Sequence, residues 1–385
     1  MSSAPFLRSR RAVLAGLSAL ALSACQAGVS GGPRVDAGAP VQVALLVPGG
    51  SGSASDELLA RSLENAARLA VGDLSGVQID LRIYQTGGNA GQAGAAALRA
   101  ADEGARIILG PVFAQEANAA GNAVAGRGIS VLSFSNNIDI AGGNVFVLGP
   151  TFRNTAERLA RFAVRQGSDR IMIVHDRNTA GEAGRAAIAA GVQGAGGSVV
   201  GTQGYEFSQN GIVAAVPGIV GAARSTGAEA LFFTATTDGA LPLLTQLLSE
   251  NGLSAATVRY LGLTRWDVPP AALSQPGIQG GYFALPDPGL YAQFQARYAA
   301  AFAEPPHPIA GLAYDGIAAI GALVRSGSGL GGAALTQGAG FVGVSGIFRL
   351  RPGGTNERAL AVAQIQNNQV VIVDPAPRSF GGAGS

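Results

Sequence analysis

Arg106-Ile107-Ile108-Leu109-Gly110-Pro111 is a short apolar run cut off by a Gly-Pro pair. Proline has no N–H to give to a ladder, so the run reads as a buried strand that ends at Leu109. Upstream, residues 92–103 form an alanine-rich helical stretch; downstream, residues 115–125 form a helix and residues 129–134 a strand. Further out lie a strand over residues 41–47, a helix over 56–74 and a strand over 77–84. The helix at 56–74 repeats apolar residues with a helical period at Leu59, Leu63, Ala66, Ala67 and Ala70. Short strands alternating with helices at this spacing predict an α/β fold with parallel sheet and helices on both faces.

A second series of the same kind begins after Val145 to Leu148 and Gly149-Pro150. Its strands are expected at 170–175, 198–205, 228–234 and 257–262, and its helices at 151–166, 182–194, 211–225 and 241–250. Pro286-Asp287-Pro288-Gly289 then breaks the chain, and helices follow at 290–302 and 307–324. The end changes character: 341–350, 359–366 and 369–373 read as strands joined by Pro352-Gly353-Gly354 and Asn367-Asn368 turns.

Composition narrows the function. The 385 residues are 48% hydrophobic and 13% charged, enough for two well-buried domains. The net charge of +2 includes Arg8, Arg10 and Arg11 at the extreme N-terminus, so the rest is near neutral with no basic stripe for nucleic acid. One cysteine, Cys25, rules out an intrachain disulfide or a thiolate metal cluster, and no metal or cofactor is expected.

Residues 1–24 read as an export signal: three arginines, then a 13-residue apolar run from Ala12 to Ala24. The run ends in Leu22-Ser23-Ala24-Cys25, which resembles a bacterial lipobox, so Cys25 is the expected lipid anchor. Ser9-Arg10-Arg11 also resembles a twin-arginine signal, leaving the export route open between that and the general secretory one. Residues 25–40 read as a lipidated flexible tether and 376–385 as a loose tail. Gln26 after the cysteine implies, by bacterial sorting conventions, an outer-membrane destination facing the periplasm.

The ordered segments Ile107 to Pro111, Val131-Leu132-Ser133, Phe146 to Arg153, Ile173-Val174-His175-Asp176 with Gly181-Glu182, and Ala313-Tyr314-Asp315-Gly316 together resemble the type 1 periplasmic binding protein fold. Within it the likeness is to the branch of leucine/isoleucine/valine-binding proteins. The resemblance implies two lobes with three crossings: residues 41–149 and 287–340 in the first lobe, 150–286 and 341–375 in the second. It also implies a cleft at the carboxyl ends of the strands. In that branch an amino-acid clamp uses a serine, two tyrosines and an acid, whose places here read as Ala114, Ala180, Thr236 and Thr264. Most of that clamp is therefore lacking, and a buried unpaired ammonium would be costly.

Residues expected to face a ligand or partner are Phe113, Gln115, Ser135, Asn136, Asn137, Asn178, Thr236, Asp238, Thr264, Arg265 and Trp266. Trp266 reads equally as a contact or as rim packing. Asn136, Asn137 and Asp139 read equally as ligand-reading groups or as caps of the next segment. His175 beside Asp176 has no serine or cysteine nucleophile motif, so no catalytic residue is expected. The Val43 to Pro48 run and the Ser133-Phe134-Ser135-Asn136-Asn137 turn also resemble penicillin-binding protein activators. That likeness implies an envelope lipoprotein that touches a peptidoglycan synthase and has no enzymatic activity of its own. The alternative is the substrate-binding lipoprotein of an ABC importer or sensor for a small polar solute, such as a branched-chain amino acid or amide. In either reading the membrane is reached through the lipid anchor alone.

Overall fold

A computed structural model describes residues 38–380. The expected signal, Cys25, most of the tether and residues 381–385 lie outside these.

The first lobe carries a five-stranded, wholly parallel sheet. Its strands are β1 (Val41–Val47), β2 (Ile79–Gln85), β3 (Ile107–Leu109), β4 (Ser130–Ser133) and β5 (Val145–Val147), in the order β2-β1-β3-β4-β5. Every residue of β1 is buried, as a central strand covered on both faces must be. Helices α1 (Ala54–Asp73), α2 (Ala90–Asp102) and α3 (Ala114–Val124) connect these strands. Gly110 ends β3 at φ +85°, and a Cβ there would overlap the Leu46 carbonyl oxygen; only glycine fits this turn.

After β5 the chain crosses into the second lobe. There α4 (Phe152–Arg165), α5 (Thr179–Gly194), α6 (Gln209–Thr226) and α7 (Leu241–Glu250) alternate with β6 (Arg170–Asp176), β7 (Ser198–Tyr205), β8 (Ala230–Phe233) and β9 (Arg259–Gly262). A further strand, β10 (Tyr282–Leu285), was not expected from the sequence. It is short, and glycines and a proline bound it on both sides. The parallel part runs β7-β6-β8-β9-β10, the same order as in the first lobe.

The chain returns through α8 (Pro288–Phe302), α9 (Gly311–Arg325) and the single turn α10 (Gly332–Leu335), all packed on the first core. The expectation that residues from 341 onward belong to the second lobe needs correction. Residues 341–350 are two strands, β11 (Phe341–Gly343) and β12 (Gly346–Leu350), hairpinned at Val344-Ser345, and Phe341, Val344, Phe348 and Leu350 complete the first lobe's core. The alternating burial of β12 explains this: its inward residues are apolar and the nearest open core is that of the first lobe. With β13 (Asn356–Arg358) they form a small antiparallel sheet, and only β14 (Ala361–Gln366) and β15 (Gln369–Asp374) join the second lobe, antiparallel to β10. Residues 376–380 are not loose either: Ala376 packs on the second core and the Phe380 ring lies 4.5 Å under the Arg349 guanidinium.

Three crossings meet in one buried polar knot. Asn356 donates from Nδ2 to the carbonyls of Val147 and Gly149, both at 2.8 Å. Arg358 donates from Nε to the Leu148 carbonyl at 3.0 Å and from a terminal nitrogen to Asp315 Oδ2 at 3.1 Å, with its guanidinium over the Phe348 ring. Asp315 Oδ1 also accepts from the Val344 N–H at 2.8 Å. The second crossing is tied in by Asp287 N–H donating to the Ser345 carbonyl at 3.2 Å.

Candidate functional site

β5 leaves the first sheet at its carboxyl end, and β10 leaves the second sheet at its carboxyl end. Both carboxyl edges therefore abut the crossings, and the loops they carry face one another across the hinge. In each lobe the strand order reverses beside the first strand of the series, at β1/β3 and at β6/β8. Open α/β sheets form their binding crevice at that point.

On the first lobe the edge is stiffened by one carboxyl. Glu116, 1% exposed in the first turn of α3, accepts from the Thr86 hydroxyl at 2.7 Å. The Thr86 backbone N–H donates to the Val47 carbonyl at 2.9 Å, so this glutamate locks the loops after β1, β2 and β3 together. Burial holds its pKa above the usual glutamate range, and the other oxygen, Oε2, has no partner. Nearby, Ser51 donates to Asp56 Oδ2 at 2.8 Å, and Phe113 stands 40% exposed beside Gly88.

On the second lobe Asp176 ends β6. It is 9% exposed, its Oδ1 is unpartnered, and burial raises its pKa. Its backbone N–H donates to the Thr234 hydroxyl at 3.1 Å, coupling the ends of β6 and β8. Arg265 closes on Asp267 through two bonds of 2.6 and 2.5 Å.

The structure sorts the expected residues. Gln115, Asn136, Thr236 and Asp238 lie on the two facing edges, and their side chains make no hydrogen bond among the described residues. The other polar candidates are engaged locally. Ser135 Oγ accepts from Asn137 N–H, and Asn137 Oδ1 accepts from Asp139 N–H as the cap of a short 3-10 turn. Asn178 caps α5 at Gly181, and Thr264 donates weakly to the Ala235 carbonyl at 3.5 Å. Asn137 thus caps the short turn that follows it.

Trp266 is a correction. It is 0% exposed, packs with the second core beside Phe233, and lies over Gly262 and Gly281, where any Cβ would collide with the indole. Its two neighbouring residues remain on the edge; the indole alone turns inward, into room that those two glycines leave.

His175 is buried, with Nδ1 3.0 Å from the Asp176 carbonyl and 3.5 Å from Glu182 Oε1. His307 is structural: its N–H donates to Ser62 Oγ at 2.8 Å, and burial lowers its pKa. Among the described residues no group of three or more His, Cys, Asp and Glu could hold a metal, and no helix is long and apolar enough to cross a membrane. Sequence reasoning passed over Glu116 and Phe207. Phe207 is 61% exposed just beyond β7, beside Thr236 and Gly239, and its one signal was an aromatic inside a polar turn, Glu206-Phe207-Ser208-Gln209-Asn210.

Two lobes with matching sheet orders, joined by three crossings and facing each other with their carboxyl edges, define a two-lobed binding protein. The family model described as periplasmic binding protein matches residues 40–369, and the chain belongs to that family. Among curated proteins, none matches at a significant level. The fold is shared with a Rhodospirillum rubrum protein assigned to a branched-chain amino acid ABC transporter. The identity is 18% and the TM-score 0.73, over 87% of this chain and 100% of that one. A Desulfitobacterium hafniense ABC transporter substrate-binding protein in complex with Leu shows 17% identity and a TM-score of 0.62, over 87% and 100%. A Rhodopseudomonas palustris solute-binding protein in complex with benzoate shows 18% and 0.56, over 90% and 98%.

Proposed function

We propose that this chain is the substrate-binding lipoprotein of an envelope ABC importer or sensor, and that its lobes close on a small polar solute. The observation that carries this reading is the set of unengaged polar side chains on facing edges: Gln115 and Asn136 from one lobe, Thr236 and Asp238 from the other. Groups without an internal partner on a preformed cleft are those a ligand can satisfy on closure. The solved relatives named with leucine and with benzoate show that this fold takes small solutes of both kinds. Cys25 is the proposed lipid anchor, with the protein in the periplasm. Its role is binding and handing over, without catalysis.

Contact with a peptidoglycan synthase, in the manner of penicillin-binding protein activators, is the competing reading. Thermal unfolding of the protein against a panel of amino acids and small metabolites decides between them. A ligand at about 100 times its Kd adds roughly 2.7 kcal/mol of stability, a clear rise in Tm. No rise with any compound would sink the solute-binding reading, and cross-linking to a synthase in the intact envelope would then test the other.

A further inference from the structure

Among the described residues only two aromatic side chains are more than a third exposed, Phe113 and Phe207. They belong to different lobes, and each stands on a carboxyl edge, Phe113 just beyond β3 and Phe207 just beyond β7. Neither stands on a floppy base. Phe113 is the residue before α3, where its carbonyl receives the Ala117 N–H at 3.0 Å. Phe207 lies between Glu206 and Ser208, whose backbones are bonded at 2.7 Å. Ser208 also caps α6, and the ring lies beside Gly239. Large rings held rigidly in water cost solvation and give back area only when something flat covers them.

The charges on the same edges exclude one class of ligand. The chain contains no lysine, so its side-chain cations are arginines. The two on these edges are engaged: Arg265 by Asp267 at 2.5 Å, and Arg177 by Glu206 at 3.5 Å. The Asp238 carboxylate, by contrast, is exposed on the second lobe's edge and makes no hydrogen bond among the described residues. A carboxylate entering here would find no unpaired guanidinium and would meet the acidic Asp238 on the edge. A group that donates N–H finds acceptors.

Resting on the solute-binding reading above, we infer that the cleft takes a flat aromatic solute that carries N–H donors and no carboxylate, gripped between Phe113 and Phe207. Closure brings one ring from each lobe onto the solute, and Gln115, Asn136, Thr236 and Asp238 satisfy its polar groups.

The test is calorimetric titration and thermal unfolding of the purified full-length protein. The probes are benzamide and nicotinamide, their acids benzoate and nicotinate, and the ringless isobutyramide and leucine. The expected result is binding of the aromatic amides, with the acids at least about tenfold weaker, a difference of about 1.4 kcal/mol. Phe113→Ala and Phe207→Ala should each weaken amide binding by about tenfold or more. Phe207 is 61% exposed, so the unliganded Tm of Phe207→Ala should stay nearly unchanged, which separates lost grip from lost fold. Binding of leucine or isobutyramide without the aromatic amides would overturn the ring inference and leave the solute-binding reading standing. Acids binding as well as amides would overturn the charge argument, and amide binding indifferent to both variants would overturn the site. No binding by any probe would count against both readings.

Discussion

Arg358 shows how one residue serves two lobes. Its guanidinium reaches the Leu148 carbonyl on the first crossing and Asp315 on α9, while its own backbone belongs to the third crossing. Both charged groups are buried, Asp315 completely. Truncation would strand that carboxylate without its counter-charge, and breaking such a pair costs about 3–5 kcal/mol. Arg358→Ala is therefore expected to lower the urea midpoint by a corresponding amount at unchanged slope. A loss under about 1 kcal/mol would mean that water or a neighbour replaces the pair. Trp266 gives the opposite lesson at the same scale. Its sequence neighbours Arg265 and Asp267 are polar edge residues, and the turn reads as a cleft loop. The side chain nonetheless goes where Gly262 and Gly281 leave a hole, two positions far apart from each other in sequence.

At the scale of elements, the ends of strands and the starts of helices carry the site. Glu116 ties α3 to the loops after β1 and β2, and burial raises its pKa above the ordinary 4.5. A carboxyl that binds its proton more tightly folded than unfolded stabilises below its unfolded pKa and loses that contribution as pH rises through its folded pKa. Stability of the native protein relative to Glu116→Gln is thus expected to fall as pH rises from about 4.5 through the raised value. Paired urea titrations at several pH values would show it, and a difference that grows with pH would contradict the assignment. Arg158 is a second fastening, reaching the Leu360 carbonyl at 2.6 Å and Asp374 at 2.9 Å, which pins β14 and β15 to α4. Most elements were legible because amphipathic period and Gly-Pro punctuation are local. The strand β10 escapes a sequence reading because four residues between glycines and a proline carry too short a pattern, and residues 341–350 read as one strand because apolar residues continue on both sides of the Gly343-Val344-Ser345-Gly346 turn.

On the scale of the whole molecule, the lobes are two separate sheets sharing one polar knot. Asn356, Arg358, Asp315 and Asp287 join all three crossings, so unfolding one lobe strips partners from the other. Calorimetry of the native protein should therefore give one transition whose calorimetric and van't Hoff enthalpies agree, and Arg358→Ala should split it toward two. Two transitions in the native protein would show the knot too weak to couple the lobes.

The class of fold and the two α/β series are legible in the residue pattern. That pattern also placed most of the edge loops, because alternation of short apolar runs with helical periods is written residue by residue. It named Gln115, Asn136, Thr236 and Asp238 among the residues on those edges. Which of the named groups are free and which are spent depends on the folded chain. Ser135, Asn137, Asn178 and Arg265 satisfy their hydrogen bonds at home, and Trp266 is core. The folded chain also decided that residues 341–350 complete the first lobe and that two exposed phenylalanines stand on opposing edges. Those outcomes depend on which partners a fold brings within hydrogen-bond reach and where it leaves room, and neither distance nor volume is encoded in a local pattern.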